Sequence, residues 1–330
     1  MPEEIEFRTK PQIALAQVDR ALGNGIRVSA WTFDEFYSRD SKFLDGLAAR
    51  GQVFVGEIAG NFHGWVQKPT VLRTGPKKST KSGRKKRYPR VARRRPSCEV
   101  RNLLKHSPVF REQSWQRYRI KDAGHGPEVW EVKWAEFWRK NSEGLPTRRH
   151  CLIVARNVQS GEVKYFLSNR APGERNPATG QWVTLRWLLR VAFGRWSIES
   201  CFRQGKEELG LDHYEVRGWR CVHRHFYVTQ LSHLFCARVR QEYDAAPSDE
   251  ADRLSIEQIR SAMNVWLDSA DLPPKCQRAR FEKEQAKQQY YQRRSKQARV
   301  SHTKTQRGRL SELGIDADRI KSCLVPKDRQ

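Results

Sequence analysis

The stretch IRVSAWTFDEFYSRDSKFLDGLAARGQVFVGEI, residues 26–58, decides the fold class. Ile26–Phe33 is rich in β-branched and aromatic residues and reads as a buried strand that ends at Asp34-Glu35. Ser41–Ala49 predicts a helix, and Gln52–Ile58 predicts a second strand. Two strands joined through a helix with such short links predict a parallel pair, because parallel strands need a crossover. Just upstream, residues 11–23 place Ile13, Leu15, Val18 and Leu22 at helical spacing, with Pro11 at the start and Gly23 at the end. The opening third is therefore α/β.

The pattern then changes. Between Arg73 and Arg95 stand 12 basic residues in 23 and no acid, interrupted by Gly75, Pro76, Gly83 and Pro89. Such a segment has nothing to bury and predicts a loop or arm that tracks phosphates. From about Gln116 to Asn169 alternation returns at Tyr118/Ile120, Val129–Trp134, Cys151–Ala155 and Val163–Leu167. These predict antiparallel strands with turns at Gly124–Gly126 and Ser160-Gly161. Trp130, Trp134 and Trp138 fit a helix face as well as a strand, and in both cases core packing. Helical signal resumes from Val183 to Leu209 and, after a break at Gly210–Gly218, from Trp219 to Tyr243, apolar on nearly all sides and expected to be buried. Lys275–Arg309, with 12 basic residues, two acids and Tyr290-Tyr291, predicts a basic helix.

Lys and Arg total 63 against 37 acids, a net charge of +26. A folded body with that excess attracts polyanions, because neutralising phosphates releases condensed counterions. Eleven Trp and fourteen Phe argue for a real core. The seven cysteines are scattered, odd in number and without a CxxC pair, which fits thiols in a reducing cytoplasm. No run of 18 apolar residues offers a membrane span.

Chemistry concentrates in RWSIESCFRQGK, residues 195–206. On a helix Arg195 and Glu199 are i,i+4, Arg203 is four beyond Glu199, and Lys206 seven beyond it, so all four share a face. One carboxylate framed by three cations suits a place where a hard cation and a phosphate meet. The same spacing also occurs on ordinary solvated helices. His213, His223, His225 and His233 lack metal-ligand spacing and read as structural.

The R-x3-E-x6-K spacing resembles the signature of insertion-sequence transposases of the DDE class with a ribonuclease-H-like core. The run ELGLDHYEVR at 208–217, then Trp219 and His223-Arg-His225, is similar to bacterial members of that group. So are Lys164–Asn169, Thr32–Glu35 and Tyr290–Arg294, and the resemblance spans nearly the whole chain. It implies two-metal phosphodiester transfer with Mg²⁺ (or Mn²⁺), two aspartates and one glutamate holding the ions. Carried over, Glu199 is the glutamate, and Arg195, Arg203 and Lys206 contact DNA. Asp34, at a strand end, is the second aspartate, and Glu35 is the adjacent alternative. The signature tyrosine falls on Ala192. No aspartate upstream of Asp34 fits the first position, so the chain is expected to begin inside a longer protein.

The expected fold is thus α/β (α+β overall). A partial ribonuclease-H-like core at 1–59, missing its first strands, is followed by a β-rich insertion at 60–178 that contains the basic arm. Residues 179–245 complete the core with the helices carrying Glu199, and 246–330 form a basic helical region. The implied partners are double-stranded DNA at element terminal repeats, target DNA and a second copy in a homodimer. The implied location is the cytoplasm, on the nucleoid.

Overall fold

The computed structural model of the protein describes residues 6–75, 87–92, 95–123, 126–245 and 254–323. Most of the expected basic arm lies outside them, as does the turn at 124–125. In chain order the elements begin with α1 (Lys10–Gly23), β1 (Trp31–Phe33), α2 (Glu35–Ser38), α3 (Ser41–Ala49), β2 (Phe54–Ile58) and β3 (His63–Trp65). Then come β4 (Val71–Leu72), β5 (Arg90–Val91), β6 (Cys98–Glu99), α4 (Val100–His106) and α5 (Pro108–Arg111). The long strands β7 (Gln116–Ala123), β8 (Gly126–Lys140), β9 (Pro146–Asn157) and β10 (Val163–Ser168) follow. The helices α6 (Leu185–Gly194), α7 (Trp196–Leu209), α8 (Trp219–Ala245), α9 (Ile256–Ser269) and α10 (Pro274–Glu312) precede a final β11 (Lys321–Ser322). The chain divides into two compact units, a sheet unit of residues 6–195 and 303–330 and a helical unit of 196–302.

In the sheet unit the first helix starts as its sequence demands. Thr9 caps it, Gln12 returns the bond to the Thr9 N–H, and Pro11 stands in the first turn where no donor is needed. Its end explains why β1 is shorter than expected. Ile26 donates its N–H to Ala21 O at 3.0 Å, Gly25 takes φ 73°, and the Ile26 side chain is 53% exposed. Residues 24–26 thus finish a helix, and the strand is confined to Trp31–Phe33. β1 and β2 are parallel, with Trp31 opposite Phe54 and Phe33 opposite Gly56. A Cβ at Gly56 would stand 2.1 Å from the Phe33 ring, so only glycine lets β1 lie this close.

The strands of 60–178, expected as an insertion, continue the same sheet. Its path runs β1-β2-β10-β9-β8-β3-β6, with β7 on β8 and β11 on β7. β10 pairs antiparallel with β2, setting Leu167 against Gly56, so the free edge of the parallel pair is closed by what the sequence presents as a separate region. Burial explains the join: Cys151–Ala155 on β9 are all at 0% exposure and need cover on both faces. Val18, Phe43, Leu44 and Leu47 of α1 and α3 cover one face, over Phe54, Phe137, Leu152 and Val154. Leu188, Leu189 and Ala192 of α6 cover the other, over Val55, Trp130, Val132 and Ile153. Trp130, Trp134 and Trp138 lie on strand β8, and their even spacing keeps them on one side. The result is a mixed α/β sheet, as a ribonuclease-H-like core requires.

One buried histidine ties this packing to pH. His150 on β9 is 3% exposed and bonds Arg148 O through Nδ1 at 2.8 Å. Burial first, then the Arg139 charge, push its pKa down to about 3; the hydrogen bond to the Arg148 carbonyl opposes this, the Arg148 charge adds to it and Asp45 opposes it. The folded pKa lies below the unfolded value, so its contribution is complete above pH 6.5 and is lost as pH falls toward 3. A loss of about 1.5–2 kcal/mol between pH 6.5 and 5 is expected, above the range of most carboxylates. Urea titrations of the protein and of His150→Gln measure it; an equally steep pH slope in the variant would remove His150 as the cause.

In the helical unit α7 ends and α8 begins on either side of the expected break at Gly210–Gly218, but α8 does not show the expected burial. α7 ends on Gly210 at φ +68°, with Leu211 N–H bonded to Gly205 O at 2.9 Å and the Leu211 side chain packed on buried Gly205. Part of the ELGLDHYEVR run is thereby a helix stop, since glycine alone adopts this geometry cheaply. Glu208 pairs with Arg260 at 3.1 Å and joins α7 to α9. The core here is small: Cys236, Ile256 and Ile259, with Leu209, Val239, Leu254 and Met263 around them. α8 was expected to be central and buried. Instead Phe226, Tyr227, Val228, Leu231, Leu234 and Phe235 are exposed, because α7 and α9 contact only part of so long a helix.

Candidate functional site

Asp34 stands at the carboxyl end of β1, half-buried, and caps the short helix α2. Its Oδ1 accepts the N–H groups of Phe36 at 3.1 Å and Tyr37 at 3.4 Å. Its Oδ2 accepts no hydrogen bond from a described residue. Buried Ser38 locks the turn, donating its hydroxyl both to Asp34 O and to Glu57 O of β2. Glu35, the adjacent alternative, is exposed and paired with Arg39 at 2.8 Å on the same helix turn.

The register adds a residue that sequence reading missed. Phe33 opposes Gly56, so the next positions, Asp34 and Glu57, adjoin at the carboxyl ends of parallel neighbours. Ligands of α/β sheets collect at such ends. Glu57 is flanked by cations, Lys164 of β10 at 3.6 Å and Arg195 at 3.6 Å. Arg195 caps the C-terminus of α6. The resemblance-bearing segment 164–169 thus works on β2 from both ends. Lys164 meets Glu57, and the Asn169 side chain accepts from Phe54 N–H at 3.0 Å and donates to Gln52 O at 2.8 Å. An alternating strand pattern gives no sign of a partner 138 residues away in sequence, such as Arg195 is to Glu57.

Glu199, Arg203 and Lys206 belong to the helical unit, and Asp34 and Arg195 to the sheet unit. Glu199 is half-buried in the first turn of α7, where the helix dipole favours a negative charge. Arg203 and Lys206 are exposed, and Arg203 pairs with Glu207 at 3.5 Å. Ala192, in place of the signature tyrosine, is 4% exposed against the sheet, and Phe193 packs on Trp130 and Phe166. The histidines of this region have structural partners. His225 Nε2 meets Gly210 O at 2.9 Å, His233 meets Cys201 Sγ at 3.7 Å, and His223 lies against Trp219 with ring centres 4.1 Å apart.

Asp34 and Glu57 offer the hard oxygen donors that Mg²⁺ prefers. Among the described residues, however, no three His, Cys, Asp or Glu side chains come together as an ion's ligands must. Within the sheet unit Asp34 and Glu57 are two carboxylates, and Glu57 is already paired with Lys164 and Arg195, so the pair alone does not make a two-ion site. All seven cysteines are free thiols, and burial pushes Cys323 up to about 11 and Cys151 higher still, which leaves neither nucleophilic at neutral pH. No helix among the described residues is long and apolar enough to cross a membrane.

No curated protein matches the chain. Residues 1–127 match the family model described as DDE superfamily endonuclease. The matched stretch contains β1, β2, Asp34 and Glu57 and ends before Arg195, Glu199 and Lys206. Over that stretch, more than a third of its length, this chain is similar to the DDE superfamily endonucleases, and the similarity includes the strand end that carries Asp34.

Proposed function

We propose that this chain is a DDE-type transposase that cleaves and transfers DNA strands at the ends of an insertion element. The observation that carries the reading is the position of Asp34. It stands in the stretch similar to DDE superfamily endonucleases, at the carboxyl end of a parallel strand, with one carboxylate oxygen left over from helix capping. Glu199 is the second acidic residue of the reading, and Arg195, Arg203 and Lys206 contact DNA phosphates. Glu57 holds Arg195 by charge at the strand end. Mg²⁺ (or Mn²⁺) is the proposed cofactor on resemblance alone. Terminal repeats, target DNA and a second copy of the chain are the proposed partners, and the cytoplasmic nucleoid is the proposed location.

A second reading is a DNA-binding protein without cleavage, which occupies element ends or pairs with active subunits and inhibits them. It is favoured by the pairing of Glu57, the carboxylate that adjoins Asp34, with the cations Lys164 and Arg195. Incubation of the purified protein with element-end DNA, with Mg²⁺ or with EDTA, separates the two. Nicking that needs the metal is expected under the first reading, and salt-steep binding with intact DNA under the second. No binding to DNA at any salt would defeat both.

A further inference from the structure

The basic helix α10 offers a surface that the proposed site does not use. Between Lys275 and His302, within the helical unit, it carries nine Lys or Arg and only Glu282 and Glu284 as acids; from Gln285 to His302 there is no acid. Arg278 pairs with Glu282 at 3.0 Å and Lys287 with Glu284 at 3.6 Å. Lys283, Arg294, Lys296 and Arg299 are exposed and make no ion pair with a described residue. Arg280, Lys283, Lys287, Tyr291 and Arg294 fall at i, i+3, i+7, i+11 and i+14 and form one stripe. The half-buried residues Gln277, Glu284, Gln288 and Gln292 lie on another side of the helix. Tyr290 and Tyr291 are each 55% exposed beside these cations. Like charges this close repel one another, and a helix polar all round gains little from packing. A polyanion laid along the stripe relieves the repulsion.

We infer that the stripe between Arg280 and Arg294 of α10 forms a tracking surface for the backbone of duplex DNA, separate from the residues proposed for cleavage. The segment spans about 21 Å at 1.5 Å per residue, roughly six phosphates of one strand at 3.4 Å each. The inference rests on the DNA-acting reading above and gives that reading an anchoring element. No base edge need be touched, so the surface binds without sequence preference.

The test measures duplex-DNA affinity of the full chain against salt. One variant carries Arg280, Lys283, Lys287 and Arg294→Gln, the four cations of the stripe replaced by a good helix former. A control with the same net charge carries Arg20, Lys42, Lys105 and Arg111→Gln, four exposed positions in the sheet unit. Each lost phosphate contact lowers the slope of log K against log salt by about 0.9, so the α10 variant is expected to lose about 3 to 4 while the control keeps its slope. If the fourfold variant lost helicity by circular dichroism, the pair Lys283→Gln and Arg294→Gln would be expected to show about half the change. An α10 variant with the wild-type slope, or a control that falls equally, overturns the inference and leaves the cleavage reading standing. Wild-type protein that binds no DNA defeats the cleavage reading itself. Stronger loss on single-stranded DNA or on duplex RNA than on duplex DNA also overturns the assignment.

Discussion

Replacing Glu199 by alanine is expected to lower Mg²⁺-dependent nicking of element-end DNA by at least about 10³-fold, with DNA affinity changed no more than about threefold. A thousandfold loss corresponds to about 4 kcal/mol of transition-state stabilisation, the scale of losing one essential catalytic side chain. Affinity should persist because Glu199 is an anion: its loss removes repulsion from phosphates rather than a contact. Asp34 needs a gentler variant, since its Oδ1 also caps α2. Asn caps as well as Asp, so Asp34→Asn keeps the turn and removes only the charge. A comparable loss of nicking with an unchanged melting transition is expected. Normal nicking by Glu199→Ala would end its assignment. Wild-type protein that binds DNA but never nicks it would place the chain in the second reading.

The elements that were legible in the sequence are those whose signals are local. α1 and α3 begin at capping residues and at apolar positions one turn apart, and Asp40 caps α3 through Lys42 and Phe43 N–H groups. The β1–β2 pair, β7 to β10 and α10 were equally readable, because alternation and charge are properties of consecutive residues. What was not legible depends on distant partners. Nothing in residues 60–178 says that β10 will close the edge of β2, since a strand pattern does not name its neighbour. Glu57 escaped for the same reason, because its significance lies in the register that adjoins it to Asp34 and in the ion pair to Arg195. α8 shows the opposite failure. An all-round apolar helix usually means burial, yet burial depends on how much surface its neighbours present.

The second large effect is expected at Asp45, a residue whose exposure hides its importance. Its side chain is 61% exposed, but it pairs with Arg139, whose side chain is 1% exposed beneath α3. Arg139 also donates to Ser41 Oγ at 3.0 Å, and its buried Nε has no partner. Removing Asp45 therefore leaves a charged guanidinium in the interior with one hydroxyl for company. Breaking a buried pair from one side costs about 3–5 kcal/mol, and partial access of water to the Asp45 side reduces this to about 2–4 kcal/mol for Asp45→Ala. Arg139→Met should cost less, about 1–2 kcal/mol, because the carboxylate left behind is already in water and methionine fills much of the space. The double variant should then be more stable than Asp45→Ala alone, a non-additivity that two isolated surface changes do not produce. Urea denaturation of the four proteins measures it. Equal losses for the two single variants would show that the pair contributes through packing and not through charge. The consequence reaches the proposed site by a short path. Ser41 and Asp45 begin α3, α2 immediately precedes it, and Asp34 caps α2. Loosening Arg139 should therefore weaken nicking through the position of Asp34, and Arg139→Met should retain more activity than Asp45→Ala.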